Sequence, residues 1–220
     1  MGLNEGEGHK TYMNVSEGRI AVRCDESDPK AIFCKNAKGT REWHERRYPS
    51  FTGFIRNVWV RTTEWGKDLC IDLHDGKDSF ELQMNLNSKY ATGFLVCMPN
   101  IPLDKQITFT PWMKEVKQDG RTVKKTNLYL STGPSDEEKI EWFWTKDEPK
   151  GLPQMVQVTL KGETKWDDTE RMNYLLDHLT STFLPKLGKA LNEDSIKRGH
   201  DVAAQVSEAD LTTDESDMPF

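Results

Sequence analysis

Between Phe51 and Ser131, apolar side chains return at every second position in one run after another, a period that builds strands and that no helix satisfies. In FTGFIRNVWVRTT, Phe54, Val58 and Val60 fall on one face while Asn57, Trp59 and Arg61 fall on the other. LCIDLHDG sets Leu69, Ile71 and Leu73 against Cys70, Asp72 and His74, then offers Asp75-Gly76 as a turn. FELQMNL continues with Phe80, Leu82, Met84 and Leu86 inward and Glu81, Gln83 and Asn85 outward. Three strands joined by short turns predict an antiparallel meander.

Ser88 then offers a helix cap, and KYATGFLVCM can form a short helix closed by Pro99. QITFTPWMKEV alternates Ile107, Phe109 and Met113 against Thr108, Thr110 and Trp112, with Pro111 favouring an edge or a bulge. KQDGRTVKK reads as a basic hairpin loop into TNLYLST, where Leu128 and Leu130 point inward and Asn127, Tyr129 and Ser131 outward. Three strands, a short helix and two strands are the order of an OB-fold five-stranded barrel. The expected fold is therefore mainly β with added helices, an elaborated barrel of a type that binds single-stranded nucleic acids or oligosaccharides.

Around this barrel, residues 1–18 are rich in Gly and Glu and read as a flexible N-terminus, while 19–191 read as the elaborated domain, entered by a strand at Arg19–Arg23. Past the barrel, GPSDEEKIEWFWTKDEPKGLP is polar and interrupted by Pro and Gly around Trp142, Phe143 and Trp144; packing is the preferred reading for the two tryptophans. MVQVTL can add a strand. A helix follows from Asp168, with Met172, Leu175, Leu176, Leu179 and Phe183 on one stripe and Pro185 to end or kink it. Residues 192–220 lose apolar density and read as a disordered acidic tail. The six acids of 201–220, with no Lys or Arg among them, account for the whole formal charge of −6. The rest of the chain is charge-balanced, so the acidity belongs to a tail and not to the fold.

Cys24, Cys34, Cys70 and Cys97 form no CxxC pair and read as reduced core thiols, with a zinc site at Cys24 and Cys34 left open. No stretch approaches the ~18–20 apolar residues that span a bilayer, and MGLNEGEGHK has neither a signal-peptide nor a myristoylation pattern. A soluble, cytoplasmic protein without a membrane partner is the expectation.

A barrel that holds single strands needs cations for phosphates and flat side chains for bases. Trp59, Trp112 and Tyr129 alternate outward, Arg61 flanks Trp59, and Trp65 follows the first long strand. Arg121, Lys124 and Lys125 supply cations in the hairpin, and Arg46 and Arg47 stand among Trp43, His44 and Tyr48. Lys30–Arg61 is the most basic part of the chain, with eight cations against Glu42 and Glu45. For each outward aromatic the alternative is packing beneath the added segments. An enzymatic reading starts from Asp72 and His74, which at i and i+2 can hold a divalent metal for nuclease chemistry; Asp75-Gly76 is more simply a turn. The common phosphate-loop, nucleophile-elbow and HExxH motifs do not occur. A protein-binding OB adaptor is the remaining alternative.

The OB-like strand order and the ending Asp214, Glu215, Ser216, Asp217, Met218, Pro219, Phe220 together resemble the single-stranded DNA-binding (SSB) proteins of bacteria, and especially their phage counterparts. The resemblance implies a non-enzymatic protein without a cofactor that coats single-stranded DNA in replication, recombination or repair. It would act in the host cytoplasm if phage-encoded. The tail residues Asp214, Glu215, Asp217, Met218, Pro219 and Phe220 would recruit replication or repair proteins, with Met218 where an aliphatic residue is usual. Residues 1–50 and 132–192 have no counterpart in that family, which puts its homotetramer in doubt and leaves self-association open.

Overall fold

The computed structural model describes residues 10–36, 38–118, 121–133, 138–160 and 163–193. Among the described residues, eleven strands and two named α-helices, α2 being continued over 184–193, make a mainly β protein. A hairpin of β1 (Thr11–Ser16) and β2 (Arg19–Cys24) leads to β3 (Ile32–Lys35), β4 (Glu42–Tyr48), β5 (Phe51–Thr63), β6 (Gly66–His74) and β7 (Ser79–Asn85). Helix α1 (Lys89–Cys97) precedes β8 (Ile107–Gln118) and β9 (Arg121–Ser131); then come the separate hairpin β10 (Val156–Leu160) and β11 (Glu163–Asp167), and α2 (Thr169–His178). Nine strands form one sheet in the order β3-β4-β2-β1-β7-β6-β5-β8-β9, with β1 parallel to β7.

The meander β5-β6-β7 is antiparallel, as the alternation predicts. One detail differs. The β5–β6 register slips between Ile55 and Asn57, so Ile55 turns into the core in place of Phe54. A bulge of one residue moves everything before it to the other face, and a strict period of two cannot foresee it. β5 then bends: Phe51–Gly53 pair with β8 while Phe54–Thr63 pair with β6. Among the described residues no pairing joins β9 to β7, so the sheet does not close into a barrel.

β1 takes the place beside β7 instead. The expected flexible N-terminus thus contains a strand, for which TYMNVS carries its own alternation, with Met13 buried between exposed Tyr12 and Asn14. Its turn residues Glu17 and Gly18 both have positive φ, 50° and 71°, as a tight hairpin with native twist requires. The turn docks across the open side of the sheet: Gly18 N–H donates to Tyr90 Oη at 2.8 Å, and Glu17 meets Arg47 at 3.0 Å and Lys124 at 3.2 Å. Hydrogen bonds from Lys124 and then Arg47 hold the Glu17 carboxyl below its ordinary value. A depressed folded-state pKa contributes stability that is complete above the unfolded value and lost as pH falls through the folded one. The difference in thermal midpoint between the native chain and Glu17→Gln should therefore shrink between neutral pH and about pH 3.5. A difference constant over that range would remove the latch.

The core runs through Val58, Leu69, Ile71, Leu82, Phe94, Ile107, Phe109 and Leu128. Helix α2 adds Met172 and Leu175, and its continuation adds Leu179, Phe183 and Leu187, with the Phe183 ring edge-on to Phe94 at 6.1 Å. Leu176, predicted on this stripe, is only partly buried. Pro185 does not end the helix. A wider turn at Leu179–Phe183, closed by Leu184 N–H to Leu179 O, absorbs the missing proline donor, and helix resumes over 184–193. Residues 192 and 193, predicted as the start of the tail, still belong to this helix; the rest of the predicted tail, 194–220 with its Met-Pro-Phe end, lies outside the described residues. No described helix is long and apolar enough to cross a membrane.

Candidate nucleic-acid interface

Strand registers sort the predicted binding residues onto different surfaces. On the outer face of β5-β6-β7, Trp59 lies beside Cys70 and Gln83, and Arg61 lies beside Asp68. Arg61 pairs with Asp68 at 3.4 Å and Glu81 at 3.5 Å; Lys10 pairs with Asp72 and, at 3.5 Å, with Glu81. The Lys10 ammonium also sits 5.4 Å from the centre of the Trp59 ring, and Gln83 Nε2 donates to Glu81 at 2.8 Å. Burial pushes the Cys70 thiol between these groups up to about 11. Three carboxylates against two cations make this a face that repels phosphate. Trp59 and Arg61 therefore belong to a network of ion pairs within the fold, although Arg61 Nε itself has no hydrogen-bond partner among the described residues.

Half of the basic run from Lys30 is paired in the same way. Lys35 meets Glu42 at 2.6 Å and Arg46 meets Asp28 at 2.5 Å. Arg47 lies on the opposite face of β4 from Arg46, opposite Ala21 rather than Val22, and pairs with Glu45 at 2.8 Å. Burial pushes the Glu45 carboxyl up, but hydrogen bonds from Trp43 Nε1 and Arg47 outweigh it and hold the group low. Cys34 shares a face with Trp43 and Cys24 with His44, so the two thiols stand on opposite sides of the sheet and do not share a metal. Asp72 is held by Lys10, and His74 Nδ1 accepts from Gly76 N–H at 2.9 Å. Among the described residues no three His, Cys, Asp or Glu side chains gather as a metal site would need.

The β8–β9 hairpin is different. Its register places Thr110, Trp112, Lys114 and Gln118 on one face with Tyr129, Asn127, Lys125 and Arg121. Lys124 falls on the other face and is tied to Glu17. Trp112, 39% exposed, stands edge-on to Tyr129 at 6.4 Å, and the Lys139 ammonium lies 5.7 Å from the Tyr129 ring centre. This face forms one wall of a groove of about 360 Å³, completed by α1, the 142–144 segment and α2. Trp142, 42% exposed, joins Trp112 and Tyr129 in its lining, with Lys89, Lys125 and Arg171 as cations. Lys114 and Lys125 are direct cross-strand partners, an arrangement of like charges that costs stability unless an anion lies over it. No ion pair joins Lys89, Lys114, Lys125 or Arg171 to another described residue.

The groove thus brings together Trp112, Tyr129 and Lys125, with Arg121 farther along the same face, and leaves out Trp59, Arg61, Lys124, Arg46 and Arg47. Trp65 stands 74% exposed on the β5–β6 turn and is not part of the lining. Trp142, Trp144, Lys89 and Arg171 in the groove, and Lys114 beside Lys125 on the same strand face, went unassigned by sequence reasoning. Lys114 was legible, since it extends the Trp112 alternation. Trp142, Lys89 and Arg171 come from an irregular segment and two helix surfaces, where no period marks a shared face. Comparison with protein-family models, with curated proteins and with solved structures found no match for the chain.

Proposed function

We propose that the protein binds single-stranded DNA with little regard to sequence, and that the groove between β8–β9, α1 and the 142–144 segment is where it does so. One observation carries the reading: three accessible aromatic rings and three cations in no ion pair with another described residue, Lys89, Lys125 and Arg171, line one groove, with Lys114 beside Lys125 on the same strand face, whereas the cations around Trp59 and on β4 (Lys10, Arg46, Arg47 and Arg61) are tied to carboxylates. Each base offers a π-face to such rings whatever its identity, and the cations follow the backbone. The strand order around β5, with β6 and β7 on one side and β8 and β9 on the other, supports an OB-type barrel in its partly open form, with β1 inserted at the seam. The resemblance to phage SSB proteins adds the acidic tail, which would compete weakly for the groove and offer Met218, Pro219 and Phe220 to a replication or repair partner.

A fluorescent oligo-dT strand titrated at two salt concentrations, with anisotropy and tryptophan emission followed together, tests this. Salt-sensitive binding with quenched emission and little competition from duplex is the expected result; absence of binding would leave the groove to a polypeptide ligand. Deleting residues 201–220 should leave affinity equal or higher, measured by the same titration. A marked loss on deletion would show that the tail does not compete.

A further inference from the structure

At the inner end of the groove two polar groups are buried without a partner. Trp144 is 2% exposed and wedged edge-on against Phe143, Tyr174 and His178 at ring distances of 5.0, 6.0 and 4.9 Å, yet its Nε1–H donates to nothing among the described residues. Arg171 Nε, from the first turns of α2, is likewise buried and unsatisfied. Both residues line the groove, together with Lys89 from the start of α1. Lys89 and Arg171 also line a smaller adjoining cavity of about 60 Å³, where Asp168 is the one acid. Buried donors are almost always satisfied, so two orphans on residues that line the same cavity mark a place where a ligand can supply the acceptors.

The donors select the ligand's chemistry. Indole N–H, guanidinium and ammonium groups have no acceptor to offer. Asn127, an amide in the lining, commits its Oδ1 to Leu128 N–H at 2.9 Å, which leaves its NH₂ donors for other partners. Base edges present donors and acceptors together and would have to meet their donors at lining hydroxyls such as Thr126 and Tyr129, not at these three groups; a phosphodiester presents acceptors alone and carries the charge that Lys89 and Arg171 require. We infer that Trp144 Nε1, Arg171 and Lys89 form a corner that fixes one backbone phosphate of the bound strand, while Trp112, Tyr129 and Trp142 stack its bases. This rests on the single-strand reading of the groove. It adds a polarity to it: phosphates enter toward α2 and bases lie toward β8–β9.

The indole N–H resonances of the intact protein, followed by NMR while oligo-dT is added, separate the two levels. Trp112, Trp142 and Trp144 should all shift, Trp144 downfield as its hydrogen bond forms. Trp144→Phe keeps a buried aromatic ring without the donor and should weaken binding about tenfold. Arg171→Gln and Lys89→Gln should each flatten the dependence of log affinity on log salt by about 0.7. Shifts at Trp112 and Trp142 with Trp144 unmoved would overturn the phosphate corner and leave the groove standing. No shift at any of the three would overturn both. Unchanged salt slopes in both cation variants would also remove the corner.

Discussion

Removing Trp112 and Trp142 together, by Trp112→Ala with Trp142→Ala, should weaken oligo-dT binding by about a hundredfold or more, while Trp59→Ala should change it by no more than about twofold. Stacking contributes about 1–3 kcal/mol per base, which is about 5- to 150-fold for each ring lost. Both rings are accessible and line one groove, so a strand that lies there uses them in succession. Trp59 stacks under Lys10 amid Asp68, Asp72 and Glu81, where a phosphate would meet carboxylates already holding the local cations. The measurement is the same anisotropy titration, with the thermal midpoint of each variant taken alongside to confirm folding. A large loss in Trp59→Ala with a small one in the double variant would move the interface to the β5-β6-β7 face.

The contrast between Trp59 and Trp112 also shows what a sequence reveals about such a protein. Both tryptophans alternate outward from their strands, and period-two reasoning ranks them equally. What separates them is the chain brought alongside. β1 lies next to β7 and delivers Lys10 to Asp72 and Glu81, a contact between residues about 60–70 positions apart that no local pattern encodes. The basic run from Lys30 looked like a phosphate-binding surface because charges can be counted in a sequence and their partners cannot. Asp28 and Glu17 silence Arg46 and Arg47 only once strands pair.

Other features were legible where their cause was local. The β6 and β7 alternation, the Ser88 cap accepting from Ala91 N–H at 3.1 Å, and the α2 stripe apart from Leu176 follow from periodicity and capping chemistry, and they appear where expected. The bulge in β5, the wide turn before Pro185 and the burial of Trp144 beside an exposed Trp142 depend on tertiary packing. WFW gives no hint of which indole will be covered. The covered one packs against Tyr174 and His178 of α2, more than two dozen residues further along the chain.

Stability and binding should fail together at Gly93. A Cβ placed there would lie 2.9 Å from Leu128 O, 3.1 Å from Leu128 N and 3.0 Å from Asn127 Oδ1, closer than packed carbon tolerates, and two of the three atoms are backbone. Gly93 is what lets α1 rest directly on β9. Helix propensity alone favours replacing it, since glycine is the poorest helix former after proline. Overpacking against a strand backbone opposes that gain, and Gly93→Val should cost about 2–3 kcal/mol. For a domain of this size that is a fall of about 4–12 °C in the thermal midpoint. Because Gly93, Thr92 and Val96 form one wall of the groove and Asn127 and Tyr129 the other, lifting α1 off β9 also separates Lys89 from the aromatic face. Strand affinity should drop even at temperatures where the variant is folded. Gly188, in the helix that follows Pro185, has nothing within 4 Å of its Cβ position, so Gly188→Ala should leave binding unchanged and raise stability by up to about 1 kcal/mol. If Gly93→Val melted with the native chain, α1 would not be seated on β9 through this glycine. If it melted early but bound oligo-dT with native affinity, the α1 wall would have no part in holding the strand.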